Sequence, residues 1–426
     1  MKKVLAIFLS LIMVCALFAA CGEGGGEASD TKVAYVLTET GDTYSQGLGS
    51  SFKTAFEKAG GTVIQESFPK NTSDFSAYIQ KAIDKKANVI FAPNSITVAS
   101  NLIKQAADVG IEIPILAGDT WESSVILDAA KGTGLDVYCS TFFDENDNTT
   151  EYAAKFVSGF KAWLEEDNAR KTENGGNTIV AAVSALGFDA YNVAYAAIEA
   201  AAAEKGEALT SVDVAKALWS LDYKEAVTGE IKFDKNGDAI KSSAYIKKAK
   251  ADGSAFEFVK LQTVENNAEQ GTAPAYDKSG IALDTANKKI VIGVYEPTSG
   301  DNAAGGKQEV LGARYANSLK PTIKIGDNEY TIELYVSDNA SSEDKAVSAA
   351  SAIVAQNALV SLGSYGSGVS IAAASTFADA GLPAIGVSCT NSAVTEGQDY
   401  YFRTCFLDPF QGSVMADFAL SLINAK

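Results

Sequence analysis

From Lys32 onward, short apolar runs of strand length alternate with amphipathic stretches of helical length, and this rhythm constrains the fold more than any other feature. Lys32–Leu37 (KVAYVL) predicts a strand and Tyr44–Lys58 a helix stopped by Gly60-Gly61. Val63–Glu66 predicts a second strand, Phe75–Lys85 a helix, and Asn88–Ala92 a buried strand. Ile96–Val109 reads as a helix stopped by Gly110, and Ile113–Ala117 and Val137–Thr141 as strands. A βαβα order predicts an α/β fold with a parallel sheet covered by helices on both faces.

The rhythm then changes and restarts. Thr150–Glu166 and Asp189–Lys205 predict helices, with Arg170–Asn177 a polar loop. Glu230–Phe233 and Tyr245–Lys248 predict strands, and Phe256–Lys260 closes a hairpin. Val264–Asn287 is polar and aperiodic, which marks a linker. Beyond it come strand Lys289–Tyr295, helix Lys307–Asn317, strand Thr331–Val336 and helix Glu343–Gln356. Strand Leu359–Leu362 runs into Gly363–Gly368, followed by helix Val369–Ala380, strands Pro383–Val387 and Tyr400–Cys405, and helix Phe410–Asn424.

Composition removes several functions. The formal charge is -18, from 53 acidic and 35 basic residues, so nucleic acid is not an expected partner. The 426 residues contain no histidine, which removes Ser-His-Asp and Cys-His catalysis and His-ligated zinc. No nucleophile elbow, metal-ligand cluster or cofactor motif stands in their place, so the chain does not read as an enzyme. Asp234–Asp238 (DKNGD) reads as a hairpin turn, since its Gly comes too early for a calcium loop and the closing Glu is missing. Asp144–Asp147 reads as the solvated start of a helix. Cys139, Cys389 and Cys405 read as buried thiols.

At the N-terminus, Lys2-Lys3 precede an apolar run from Val4 to Phe18, the charge order of an export signal. Leu17-Phe18-Ala19-Ala20-Cys21-Gly22 resembles a bacterial lipobox, which implies residues 1–20 as a signal, lipidation of Cys21, and an extracytoplasmic protein anchored to the cell membrane. Residues 21–31 then form a Gly-rich tether.

Several motifs resemble the leucine/isoleucine/valine-binding branch of periplasmic binding proteins. KIVIGVYEPTSG, GSYGSGVSIAAAS, GLPAIGVSCTNSAVT and YYFRTCFLDPFQG are similar to its opening lobe. KVAYVLTETGDTYSQGLGSSF, LAGDTWES, ALGFDAYNVAYAAIEA and VTGEIKFDKNGD are similar to what normally follows. Here the order is rotated, as in a circular permutation joined through residues 264–288. The resemblance implies a type I fold: two Rossmann-like lobes with parallel sheets, joined by a three-strand hinge. One lobe would combine 141–242 with 289–426, the other 32–140 with 243–263.

The resemblance also implies the chemistry. Gly363–Gly368, between a strand and a helix, would aim backbone N–H groups at an anion. Ser367 and Thr390, with a backbone group at Ser388 and the turn at Gly366, would hold an α-carboxylate. Asp119 would pair with the α-ammonium from the opposite lobe, beside Tyr44. From their place beside these polar contacts, rather than from the resemblance, Tyr365 and Trp121 read either as walls of an apolar side-chain pocket or as packing. The family often has tyrosines where this chain has Ser95 and Gly305, which widens or polarises that pocket. The implied protein is a monomeric receptor that closes on an amino acid and docks on an ABC permease. A sensor for an amide, sugar or other small solute is the alternative.

Overall fold

The computed structural model describes residues 32–146 and 150–425. The export signal, the lipobox and the tether lie outside these residues.

In chain order come β1 (Val33–Glu39), α1 (Thr43–Lys58), β2 (Thr62–Phe68), α2 (Ser76–Asp84), β3 (Val89–Phe91), α3 (Ile96–Val109), β4 (Ile115–Ala117), α4 (Ser124–Ala130) and β5 (Val137–Thr141). Then follow α5 (Glu151–Glu165), α6 (Asn168–Glu173), α7 (Ala182–Lys205), α8 (Ser211–Trp219), β6 (Ser243–Ala249) and β7 (Phe256–Thr263). The last part comprises β8 (Lys289–Glu296), α9 (Ala303–Leu319), β9 (Thr322–Ile325), β10 (Asn328–Asp338) and α10 (Glu343–Ala355). It ends with β11 (Val360–Leu362), α11 (Ser367–Asp379), β12 (Ala384–Gly386), β13 (Tyr401–Arg403) and α12 (Asp408–Asn424).

Two sheets organise these elements. The first runs β2-β1-β3-β4-β5-β6-β7, with β1 to β5 parallel and the β6–β7 hairpin antiparallel at one edge. The second runs β13-β12-β11-β8-β10-β9, parallel except for the edge strand β9. The α/β class with mostly parallel strands is therefore as the rhythm predicts. Taking the parallel strands of each sheet in chain order, both sheets have the doubly wound order 2-1-3-4-5. In such sheets the two loops leaving the first and third strands go to opposite faces, and a crevice opens between them at the strands' carboxyl ends.

Burial explains why the central strands are legible. Ala34–Glu39 of β1 and Ile290–Glu296 of β8 are buried without a break, as strands covered on both faces must be. One face of the first sheet packs Tyr35, Leu37, Ile90 and Ala117 against α2, α3 and α4. The other face packs Val36, Phe91 and Leu116 against α1 (Phe52, Phe56) and α12 (Met415, Phe418). Tyr138 of β5 and Phe418 of α12 meet at 5.1 Å between ring centroids. The last helix, expected with the second sheet, thus packs on the first.

Other local expectations change. Helix α7 starts at Ala182, ahead of the expected Asp189, and α6 (Asn168–Glu173) takes the first part of the expected loop Arg170–Asn177, leaving Asn174–Asn177 as turn. Glu230–Phe233 makes only isolated bridges, Tyr223 to Ile231 and Phe233 to Ala239. Asp144 is buried and ion-paired to Lys247 at 3.3 Å rather than solvated, and α5 begins later, at Glu151; Asp147 lies outside the described residues. DKNGD is a tight turn, with Gly237 at φ +86 and Asp234 N–H donating to the Asp238 carbonyl. Cys139, Cys389 and Cys405 are buried free thiols. No helix among the described residues is long and apolar enough to cross a membrane. Residues 264–287 hold no helix or strand but are packed: Tyr276 Oη accepts from Trp219 Nε1 at 2.7 Å and donates to the Asp399 carbonyl at 2.9 Å.

Candidate functional site

The carboxyl ends of both sheets face one cavity. Its wall takes Glu39, Asp42 and Tyr44 after β1, Ser95 after β3 and Thr120 after β4. From the second sheet it takes Pro297, Asp301 and Asn302 after β8, Ser341 to Asp344 after β10, and Tyr365 to Val369 after β11. Both switch points of the doubly wound sheets therefore open into the same space. The free volume is about 250 Å³, below the roughly 300–1,000 Å³ of pockets for drug-sized ligands. The rims touch: Asn391 Nδ2 donates to the Thr43 carbonyl at 3.1 Å, and Thr97 Oγ1 to the Asp301 carbonyl at 3.2 Å.

The second-sheet wall is built around the start of α11. Gly366 occupies the N-cap and no side chain caps the helix, so Ser367 is its first residue and not its cap. Such an end presents N–H groups and a partial positive charge. Ser367 Oγ accepts from Asn391 N–H at 3.2 Å, tying α11 to the loop after β12. Buried Arg403 fixes that loop by donating to the carbonyls of Cys389 (2.7 Å) and Asn391 (2.5 Å) and to Thr395 Oγ1 (2.8 Å). Asp238 neutralises its charge at 2.5 Å. Thr390 is fully buried in the same loop, its carbonyl accepting from Asp408 N–H at 2.9 Å.

Beneath this wall lie two glutamates that the sequence analysis does not single out. Glu296, at the end of β8, accepts from Tyr365 N–H at 2.8 Å. Gly363 lies so close above it that a Cβ there would meet the Glu296 carboxylate at 2.6 Å and the Tyr295 carbonyl at 2.1 Å, so only glycine fits. Glu309 of α9 is hydrogen-bonded to Ser388 Oγ, which commits that hydroxyl to the protein. Burial raises the pKa of both acids, and Glu309 is pushed well above the carboxylate range, with the charge of Glu296 adding to the effect.

The first-sheet wall centres on Asp119, in a single 3-10 turn after β4. Its Oδ1 accepts from Tyr44 Oη at 3.1 Å and from Gln411 Nε2 at 2.8 Å. Burial pushes its pKa to about 6 against the pull of those donors. Tyr44 lines the cavity and Asp119 stands directly behind it. Thr120 Oγ1 donates to the Asn94 carbonyl at 3.0 Å, joining the ends of β3 and β4. Ser95 Oγ is buried without a hydrogen-bond partner among the described residues, on the cavity wall.

Of the residues expected at the site, Tyr44, Ser95, Tyr365, Gly366 and Ser367 line the cavity. Asp119, Ser388 and Thr390 lie buried behind that lining. Trp121 does not reach it: the indole is fully buried in the core between the first sheet and helices α2 to α4, with Nε1 unpartnered. The missing tyrosine at Gly305 has a structural consequence. A Cβ at Gly305 would meet Tyr365 Cε2 at 2.1 Å, so the Tyr365 ring lies across the glycine and reaches the Thr120 carbonyl at 3.4 Å. The space freed at Gly305 is filled, not widened.

Two parallel sheets of one winding, sharing a cleft at their carboxyl ends, define a bilobal binding protein, and the sequence comparisons agree. A profile of the family described as periplasmic binding protein matches residues 18–254 and 289–423, and the chain belongs to that family. An amino acid binding protein of Pseudomonas aeruginosa is 35% identical over 139 residues, covering 32% of this chain and 37% of that protein. A Leu/Ile/Val-binding protein homologue of Brucella abortus is 31% identical over 149 residues, covering 33% of this chain and 40% of its own length. The chain thus spans well under half the length of these two curated relatives. Among solved structures, a leucine binding protein of Thermotoga maritima is 26% identical with a TM-score of 0.45, covering 55% of this chain and 61% of that one.

Proposed function

We propose that the protein is an extracytoplasmic solute receptor that closes on a free α-amino acid and delivers it to an ABC importer. The observation that carries this is the cavity itself: an uncapped helix start with Ser367 on one wall, and Tyr44 on the other with buried Asp119 directly behind it. A zwitterion has the matching poles. Its carboxylate would take the α11 N–H groups, Ser367 and Thr390; its ammonium would take Asp119. Contacting both walls, the ligand would bridge and close the cleft. The family and the printed functions of the relatives, amino acid binding and Leu/Ile/Val binding, support the same class. Calorimetry against amino acids, their amides and neutral sugars tests it. Micromolar or tighter binding of an amino acid, lost in its amide, is expected. Tight binding of a sugar with none of any amino acid would defeat it and favour the sensor for another small solute.

The rest of the reading attaches here. Lipidation of Cys21 would anchor a monomeric receptor beside its permease, and a Cys21→Ala chain that still sediments with membranes would rule it out. The rotated motif order is a circular permutation, with residues 264–288 joining the family's usual end to its usual start. Each hinge-linked lobe then takes one sheet, the first also taking α12, which packs on α1. A chain re-cut within residues 264–288, with its present termini joined, should bind the same ligand with the same affinity. Failure of that chain to fold as a monomer would count against the permutation.

A further inference from the structure

The cavity is far more acidic than a zwitterion requires. Glu39, Asp42, Asp301, Glu343 and Asp344 line it, and the lining residues include a single cation, Lys70. Glu39 is the telling member. It ends the central strand β1, it is 6% exposed, and it faces the cavity. Its backbone is fully engaged: the N–H donates to Ser45 Oγ at 2.9 Å and the carbonyl accepts from Gln46 Nε2 at 2.7 Å. Its carboxylate forms no hydrogen bond or ion pair with any described residue. A buried carboxylate without a partner is costly, and the strand end holds this one in place.

Its neighbours make the cost greater. Asp42 is fixed at the N-cap of α1, accepting from Ser45 N–H at 2.6 Å. Burial and the charges of Asp42 and Asp301 together raise the Glu39 pKa, while Lys70 only partly offsets them. No group of three acidic, histidine or cysteine side chains among the described residues could hold a metal ion, so the complement to this arrangement is an organic cation.

We propose that Glu39, flanked by Asp42 and Asp301, is a cation subsite, and that the ligand is an α-amino acid bearing a second positive charge on its side chain. This rests on the amino-acid reading above. The side-chain ammonium would supply the counter-charge that the Glu39 carboxylate lacks among the described residues, turning the least favourable group of the cavity into a specificity contact.

Lysine, norleucine and cadaverine separate the two readings. Norleucine is lysine without the side-chain charge, and cadaverine is lysine without the carboxylate. Calorimetry on the full chain should give lysine at least tenfold tighter than norleucine, and Glu39→Gln should reduce that ratio to about threefold or less without weakening norleucine. Norleucine binding as tightly as lysine to the unaltered protein would overturn the cation subsite and leave the amino-acid receptor standing. Cadaverine binding as tightly as lysine would keep the subsite and overturn the carboxylate assignment. No binding of any of the three would overturn the cation subsite, and the panel of amino acids, amides and sugars then decides the amino-acid reading. A Glu39→Gln chain that retains the full lysine preference would also overturn the subsite.

Discussion

The central strands of the two sheets end alike and are used differently. β1 closes on Glu39 and β8 on Glu296, each a buried glutamate at the switch point of a 2-1-3-4-5 sheet. Glu296 is roofed by the Gly363–Tyr365 turn, takes a backbone N–H and is absorbed into the protein. Glu39 lines the cavity, and its carboxylate has no hydrogen-bond or ion-pair partner among the described residues. The winding brings both acids to the cleft; the loop that follows the neighbouring strand decides which one a ligand can meet. The α11 start offers N–H and hydroxyl groups on the second-sheet wall only, whereas carboxylates line both walls, Glu39 and Asp42 on the first and Asp301, Glu343 and Asp344 on the second.

The largest expected loss of binding comes from removing Asp119. Asp119→Ala would leave a ligand ammonium buried without its counter-charge, which typically costs about 2–5 kcal/mol, or roughly 30- to 4,000-fold in Kd. Calorimetry with the preferred amino acid checks it, and unchanged affinity would move the ammonium elsewhere. On the opposite wall Ser367→Ala should cost less, because the helix N–H groups remain. A hydrogen bond to a charged group is worth about 1.5–3 kcal/mol, so a loss of roughly 10- to 150-fold is expected. A larger loss than for Asp119→Ala would reverse the roles of the two walls.

The pH dependence sharpens the contrast between the two glutamates. The Glu39 pKa is raised to about 7 by burial, then by Asp42 and Asp301, with Lys70 opposing. A raised carboxyl pKa means that the free protein holds a proton where the unfolded chain has lost it. Its contribution to stability therefore falls as pH rises from the ordinary carboxylate range through about 7. A cation binds the deprotonated form, so lysine affinity should rise about tenfold between pH 6 and pH 8, with a proton released. Norleucine should show no rise from this group. A flat lysine profile would place the cationic side chain away from Glu39.

The fold was far more legible than the site. Buried strands such as VAYVL and VIGVY read directly, because a continuous apolar run of that length has few other uses. Helix α7 starts early because Ala182–Gly187 is buried on every side, so no amphipathic period marks it. Helix α8 did carry a signal, the capping box of Thr210 and Asp213, which an uneventful stretch concealed. At the site, Ser367, Tyr44 and Asp119 follow from family resemblance, and the fold sets Ser367 and Tyr44 in one cleft with Asp119 behind Tyr44. Glu39 and Glu296 have a readable signal of their own: an acid closing a buried, mostly apolar strand. What the sequence could not supply was which of the two the β11–α11 turn would cover. Gly305 misled because deleting a side chain widens a pocket only when no neighbour moves in, and Tyr365 does.

Trp121 supplies the last and smallest expected effect on binding. Its position beside the polar contacts reads as pocket wall or packing, and the structure buries it in the core on the far face of the first sheet, its Nε1 without a partner among the described residues. Trp121→Phe removes ring volume, which costs packing, but also removes a buried donor without a partner, whose desolvation costs about 1–3 kcal/mol. The two effects oppose, so urea unfolding should show a net change within about 2 kcal/mol. The ligand should not sense the change, because the cavity lining does not include this ring, and Kd should stay within about twofold, or roughly 0.4 kcal/mol. A tenfold loss of affinity at unchanged stability would return Trp121 to the binding wall. The cleft would then have to reorganise around the turn after β4 when ligand enters.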